Sequence, residues 1–324
     1  MKHVSIIVPQ GEYVFSTVIG AYKVFNSANE YLVRRGLPAK FKVQLVGITK
    51  ESEMYGGLFA IRPEIMISDL QKTDLIIIPA IQPQSIPQNL DFIPWITQQY
   101  KQGAEVASLC VGAFMLASTG LLSGKSCSTH WIAADAFRKM FPDVTLTADK
   151  IITDEQGLYS SGGAYSFLNL LLYIVEKYIG REAAIYLSKL LEVEIERDSQ
   201  SPFNIFQGQK EHEDEPIKKA QSYIETNYGE KLSVNTLAGL FAISKRNFER
   251  RFKKATSNTP VEYLQRVKIE AAKKSLESGR ENVNEVMYSV GYTDSKAFRT
   301  TFKKITGLSP IDYRKKYNRD TAIQ

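Results

Sequence analysis

Over residues 1–195, short apolar runs alternate with longer stretches in which apolar residues return every three or four positions. Continuous apolar runs suit buried strands and the longer spacing suits amphipathic helices, so the pattern predicts a parallel sheet with helices on both faces. The clearest strands are 5–8, 43–46, 75–78 and 106–109; the first three give way to Pro9, Gly47 and Pro79, residues that stop a strand and open a loop. Residues 17–35, 92–102 and 165–178 carry helical periodicity, the last closed by Gly180.

From 192 to 216 the chain turns polar and weakly periodic, ending in Glu211-His212-Glu213-Asp214-Glu215-Pro216, and 196–216 is expected to be a linker. Beyond it the pattern is helical throughout, and it repeats. Phe248, Phe252, Lys253, Lys254, Thr256, Pro260 and Tyr263 return fifty residues later as Phe298, Phe302, Lys303, Lys304, Thr306, Pro310 and Tyr313. Upstream the offset is forty-nine, with Leu237, Ala238 and Phe241 matching Val286, Met287 and Val290.

Each copy reads as a short apolar helix (234–241, 283–290), a turn, and a second helix rich in cations (245–255, 295–305), with Ser244 and Asp294 placed to cap the second helices. Helix, tight turn and second helix is the helix-turn-helix arrangement, whose second helix enters the major groove. With Phe248 and Phe252 inward, Lys245, Arg246, Glu249, Arg250 and Lys253 face outward. With Phe298 and Phe302 inward, Ser295, Lys296, Arg299, Thr300 and Lys303 do the same. Arginine near the start of such a helix can contact guanine through two bonds, while cations further along reach phosphate. The alternative is a merely solvated helical face, which two copies of one layout argue against. A helix over 260–278, opened by Pro260 and closed by Gly279, separates the copies; at 1.5 Å per residue it spans about 28 Å, close to a DNA turn of about 34 Å.

Charge sharpens the division. The 324-residue chain has a net charge of +6, but residues 217–324 hold 22 basic and 11 acidic residues, a net +11, leaving 19 basic and 24 acidic residues, −5, in the rest. Such asymmetry points to a nucleic-acid-binding module joined to an acidic domain with another task. At 44% hydrophobic and 23% charged the composition is that of a globular protein and not of a disordered tail. No apolar run approaches the roughly 18 residues that span a bilayer. The apolar start has no small-residue cleavage site after it, so export is not expected and the expected location is the cytoplasm. Two cysteines, Cys110 and Cys127, exclude a disulfide scaffold and a four-cysteine zinc site, and three scattered histidines suggest no metal centre. No cofactor is expected.

Gly291-Tyr292-Thr293-Asp294-Ser295-Lys296-Ala297-Phe298, then Phe302-Lys303-Lys304-Ile305-Thr306-Gly307-Leu308-Ser309-Pro310 and Tyr313-Arg314, resembles the signature of the AraC/XylS transcription regulators. The resemblance covers 215–317; Asn258 stands where Gly is usual before Thr-Pro in the first copy. It implies that Arg246, Glu249, Arg250, Ser295, Lys296 and Thr300 touch bases, with Lys245 and Arg299 beside them.

In the acidic half, the strand over 106–109 runs through Cys110 into the apolar helix 111–117, placing a cysteine at a sharp strand-to-helix turn. That geometry is a nucleophile elbow, where the helix N-terminus is expected to lower the thiol pKa. The plain alternative is a buried cysteine at a strand end. The run from Ser108 to Phe114, followed by Gly120-Leu121-Leu122-Ser123-Gly124-Lys125 and Ser128-Thr129-His130-Trp131, resembles the class I glutamine amidotransferase-like (PfpI-like) domain found at the N-terminus of one AraC subgroup. Ser160-Ser161-Gly162-Gly163 is similar to its later strand-to-helix turn. The resemblance implies a flavodoxin-like α/β fold over 1–195 and an all-α DNA-binding domain with two helix-turn-helix units over 217–324.

Three positions bear on catalysis. Enzymes of the superfamily commonly place His after the elbow cysteine, where this chain has Val111. His130 matches a second histidine position of the superfamily, and Ser16 stands where some members have a carboxylate, with Glu12 one helical turn earlier. A nucleophile needs an oriented base within about 3 Å, so the set is incomplete, Cys110 and His130 are vestigial candidates, and no enzyme is expected. Gly11, Ser16, Cys110, Val111 and His130 are expected to line a ligand site, at the carboxyl ends of strands where open α/β sheets bind ligands.

These features together predict a sequence-specific DNA-binding transcription regulator. The N-terminal domain senses a small-molecule effector and forms a homodimer, and the C-terminal domain binds promoter DNA and contacts RNA polymerase. The rivals are a cysteine-dependent amidase or deglycase fused to a DNA anchor, and an architectural protein that binds DNA without sequence preference.

Overall fold

The computed structural model describes residues 1–195 and 197–318, in two units, Met1–Gln200 and Ser201–Gln324. Glu196 of the expected linker and the last six positions of the expected DNA-binding domain lie outside the described residues.

The first unit is built on a seven-stranded sheet. Its strands are β1 (Lys2–Val8), β2 (Phe41–Gly47), β5 (Ile65–Met66), β6 (Leu75–Ile78), β7 (Glu105–Ser108), β10 (Ile152–Glu155) and β11 (Leu158–Ser161). They lie in the order β10-β11-β7-β6-β1-β2-β5, all parallel except β10, which pairs antiparallel with β11. Ser5 stands opposite both Gln44 and Ile76, so β1 is a central strand, and its run from Val4 to Val8 is wholly buried. Two small two-stranded sheets flank it: β3 (Ser52–Met54) with β4 (Phe59–Ile61), and β8 (Ser126–Cys127) with β9 (Thr145–Leu146).

Helix α1 (Phe15–Arg34) buries Val18, Ala21, Val24, Phe25, Ala28 and Leu32, a spacing of three or four that makes one apolar stripe. It packs with α5 (Phe167–Ile179) and α6 (Arg181–Leu190), whereas α2 (Phe92–Lys101) and α3 (Ala113–Ser118) form a second group; α4 (Ala134–Met140) lies beside β9. The expected α/β architecture is therefore present. The helix expected from 165 begins two residues later, because Ala164–Ser166 is a 3-10 turn entered with a left-handed backbone at Ala164, φ +48°.

The second unit is helical: α7 (Glu215–Thr226), α8 (Val234–Leu240), α9 (Lys245–Thr256), α10 (Pro260–Ser278), α11 (Val283–Ser289), α12 (Ser295–Thr306) and α13 (Pro310–Tyr317). It holds two separate small cores. Ile217, Leu237, Phe248, Phe252 and Tyr263 fill the first, and Leu276, Val286, Phe298, Phe302 and Tyr313 the second, with α10 contributing to both. Residues 201–214, which fall within the expected linker, make contacts to this unit. Lys273 Nζ donates to the Asn204 carbonyl at 2.6 Å, and the Phe206 ring meets Tyr263 edge-on at 5.1 Å. Polar composition hid these contacts, since they are made by backbone groups and one aromatic.

Candidate nucleic-acid interface and ligand site

The two halves of the helical unit are framed alike. Phe252 and Tyr263 meet edge-on with ring centroids 5.3 Å apart, and Phe302 and Tyr313 do so at 5.4 Å. Edge-to-face pairing of this kind fixes ring orientation as well as burying area. At the end of each cationic helix a buried threonine turns the chain. Thr256 Oγ1 donates to the Phe252 carbonyl at 2.8 Å and accepts from Asn258 N–H; Thr306 Oγ1 donates to the Phe302 carbonyl at 2.9 Å and accepts from Leu308 N–H. Left-handed residues, Ser257 at φ +58° and Gly307 at φ +76°, end both helices.

This frame turns the candidate reading residues outward. Lys245, Arg246, Arg250, Lys296, Arg299 and Thr300 are exposed, and Glu249 and Ser295 are half-buried. Arg250 Nη2 donates to Asn247 Oδ1 at 2.9 Å, which holds its guanidinium along the helix. The first turn of α12 is capped as expected, with Asp294 Oδ1 accepting from Lys296 N–H at 2.8 Å and Ala297 N–H at 3.3 Å. Ser244 occupies the matching position before α9 with extended backbone, but its side chain makes no cap bond, so that expectation fails. Arg251, not singled out from the sequence, turns away and pairs with Asp214.

In the first unit the expected elbow is formed. Cys110 follows β7 with a left-handed backbone, φ +55°, rare for a residue with a Cβ and worth about 1–3 kcal/mol of strain. Its N–H donates to Ser161 Oγ at 3.0 Å, and its carbonyl accepts from Thr129 Oγ1 at 3.1 Å. Gly112 is required where the turn meets β6, since a Cβ there would stand 2.3 Å from the Pro79 carbonyl oxygen.

The surroundings of the thiol oppose its ionisation. Burial pushes the Cys110 thiol above its ordinary value, and the Ala164 and Val111 N–H groups bonded to it only oppose that rise. The expectation of a lowered pKa is thus overturned, because the group is 5% exposed and desolvation outweighs two backbone donors. His130 Nδ1 accepts from Ile132 N–H at 3.1 Å, which caps the 3-10 turn Trp131–Ala133, and burial lowers the imidazole pKa. With Nδ1 accepting, Nε2 is left as the ring's donor nitrogen. Its carbons pack on Gly163, where a Cβ would come within 2.2 Å of His130 Cδ2. Among the described residues no hydrogen bond joins His130, Ser16 or Glu12 to the Cys110 thiol.

The structure brings Cys110 and Val111 against Ser161, Ala164 and Thr129, with His130 reaching the same turn through Gly163. Gly11 follows β1 with φ +78° beside Ser85 and Gln88, and Ser16 lies in the first turn of α1. Two contributors escaped the sequence reading. Ala164 directly follows the Ser160–Gly163 turn that the sequence marks. Gln200 carries no sequence signal at all. It is buried, and its side chain accepts from Gly163 N–H at 3.0 Å and donates to the Thr129 and Ala148 carbonyls at 2.8 Å each. Among the described residues no cluster of three or more His, Cys, Asp or Glu is placed to hold a metal ion, and no helix is long and apolar enough to cross a membrane.

Comparison with known proteins decides the family. The DJ-1/PfpI family model matches residues 12–177, about half of the chain. The chain belongs to the DJ-1/PfpI family. A helix-turn-helix domain model, of AraC type, matches residues 237–316. The HTH-type transcriptional regulator GbdR of Pseudomonas aeruginosa is 25% identical over 69% of this chain and 61% of its own length. The HTH-type transcriptional regulator ArgR of the same species is 26% identical over 71% of this chain and 70% of its own. The chain thus spans about three fifths of the length of the first of these relatives. Among solved structures, an AraC family transcriptional regulator from Pseudomonas putida is 16% identical, with a TM-score of 0.51 over 59% of this chain and 100% of that one. Drosophila melanogaster DJ-1beta is 20% identical, with a TM-score of 0.50 over 60% of this chain and 98% of that one. At these identities the likeness is one of fold.

Proposed function

We propose that the chain is a sequence-specific DNA-binding transcription regulator controlled by a small metabolite held in its DJ-1/PfpI domain. The observation that carries this is the paired frame of α9 and α12, two cationic helices presented by the same Phe–Tyr–Thr scaffold. Lys245, Arg246, Glu249 and Arg250 address one half-site, and Ser295, Lys296, Arg299 and Thr300 the other, with arginine reading guanine and the remaining cations meeting phosphate. Helix α10, about 28 Å long, sets the two readers in successive major grooves. The likeness to the HTH-type transcriptional regulators GbdR and ArgR supports the same reading.

Gly11, Ser16, Cys110, Val111 and His130 form the effector site. The raised thiol pKa and the engagement of His130 Nδ1 as a cap favour contact over catalysis there. The effector acts by binding one arrangement of the protein better than another. The chain works in the cytoplasm on promoter DNA, as a homodimer through its first domain, and its output passes through contact with RNA polymerase.

Recovery of genomic fragments bound by the full chain, followed by a metabolite screen against that binding, tests the proposal. A shared two-half-site sequence and a metabolite that alters affinity for it are the expected results. Equal affinity for all fragments at fixed salt would leave an architectural protein, and turnover of an amide or glycated substrate would leave an enzyme.

A further inference from the structure

Gln200 is the last residue of the first unit, and its side chain lies between two walls of the Cys110 turn. From one wall, Thr129 gives its carbonyl to Gln200 Nε2 at 2.8 Å while its own hydroxyl donates to the Cys110 carbonyl. From the other, Gly163 N–H donates to Gln200 Oε1 at 3.0 Å, and the next residue, Ala164, directs its N–H at the Cys110 thiol. A third strand of chain is held as well, since Nε2 reaches the Ala148 carbonyl at 2.8 Å and Gln200 N–H donates to the Asp149 carbonyl at 2.9 Å. The fit is close: a Cβ on Gly162 would stand 2.9 Å from Gln200 Cδ.

Directly after Gln200 the chain is committed to the helical unit. The Pro202 carbonyl accepts from Tyr317 OH at 3.2 Å, in the second core's half. The Asn204 carbonyl accepts from the buried Lys273, and Phe206 N–H donates to Glu270 Oε2 at 3.1 Å. Gln209 then accepts from Gln221 Nε2 at 2.8 Å, and Asp214 pairs with Arg251 on α9. The strap 201–214 therefore touches both helix-turn-helix halves, and it begins at the residue after Gln200.

We infer that Gln200 is a positioning residue of the effector site and the point at which occupancy of that site is passed to the DNA-binding unit. The inference rests on the regulator reading above and names its connection. A molecule seated at Cys110 and His130 bears on Thr129 and Gly163, both of which Gln200 holds, so moving either wall displaces the residue from which the strap departs. Coupling of this kind is reciprocal: DNA binding must alter the Cys110 turn as much as a ligand there alters DNA binding.

Iodoacetamide alkylation of Cys110, followed by peptide mass mapping in the full chain, reads the coupling without an identified effector. Gln200→Ala and the isosteric Gln200→Glu, which loses the amide donors, are compared with the natural protein, alone and with a selectively bound genomic fragment. Without DNA, both variants are expected to alkylate at least tenfold faster, because two walls lose their brace. With DNA, the natural protein's rate is expected to change at least threefold while the variants' rates stay fixed, at DNA affinities within twofold of the natural one. Unchanged alkylation in both variants overturns the inference irrespective of DNA. Selective DNA binding that leaves the natural protein's rate unchanged, or variants that keep the DNA effect, also overturns it. Failure to select any fragment overturns the regulator reading and the coupling with it, and is told apart by the absence of binding itself.

Discussion

Arg251 holds Asp214 through two hydrogen bonds, Nε to Oδ2 at 2.9 Å and Nη2 to Oδ1 at 2.6 Å. The same carboxylate caps α7 by accepting from Ile217 N–H at 3.3 Å, so one acidic side chain ties the first helix of the unit to a candidate reading helix. The Arg251 bonds hold the Asp214 carboxyl below its ordinary 3.8, with burial working against them. A carboxylate depressed in the folded state binds fewer protons there than when unfolded, so its contribution is complete above the unfolded value and is lost as pH falls through the folded one. The melting temperature of the helical unit is therefore expected to drop in a step beginning just under pH 4. Asp214→Asn should keep the cap and make that step smaller, since Glu215 and Glu262 of the same unit are also held below their ordinary values, and Asp214→Ala should cost about 1 kcal/mol more broadly, the usual worth of an N-cap. An unaltered pH profile in the Asn variant would show the pair to be immaterial.

The exposed guanidinium of Arg246 lies in the first turn of α9, whereas Lys303 lies in the last turn of α12. A base contact and a phosphate contact respond differently to truncation. Arg246→Ala is expected to cost about 1–3 kcal/mol on the cognate site and to relax preference at one base position. Lys303→Ala should weaken all sequences alike and reduce the slope of log affinity against log salt by about one. Affinity measured over a salt series on a set of single-base variants distinguishes the two.

Because the two cores of the helical unit are separate, damage to one should be read in one half-site. Removing a buried phenyl ring costs about 3–5 kcal/mol when the cavity cannot collapse. Phe302→Ala is expected to lose protection of the half-site read by α12 before that read by α9, and Phe252→Ala the reverse, in nuclease footprints taken below the melting temperature of each variant. Simultaneous loss of both half-sites in either variant would show the unit to fold as one.

How far the sequence carried these conclusions depended on whether a signal repeats or is periodic. The strand 75–78 and the helix Pro260–Ser278 were legible to the residue, one as an unbroken apolar run and the other through Pro at its start and Gly at its end. The paired cationic helices were legible because Phe248, Phe252, Phe298 and Phe302 fix which face is buried. The Cys110 turn was legible in position but not in chemistry, since the balance of burial against two N–H donors is a three-dimensional sum. The strap 201–214 and Gln200 were illegible. Gln200 is held by backbone carbonyls and an N–H group, and the strap engages its side-chain partners largely through its own backbone, groups that every residue carries and no composition reveals.

The thiol of Cys110 offers the last prediction, because its chemistry separates a contact residue from a nucleophile. Burial raises its pKa, and the two N–H donors do not bring it back to the ordinary 9.0. The thiolate is the reactive species, so alkylation by a small reagent should be slow at neutral pH and should climb with a midpoint above that value. His130 accepts at Nδ1 from Ile132 N–H, and burial lowers its pKa, so the imidazole is not expected to shift that profile. His130→Gln should accordingly leave the midpoint in place, read by mass mapping of the Cys110 peptide across a pH series. Cys127, pushed up to about 12, stays silent over the same range and serves as the internal reference. A catalytic pair would behave in the opposite way, with thiolate present at neutral pH and a midpoint that rises when the imidazole is removed.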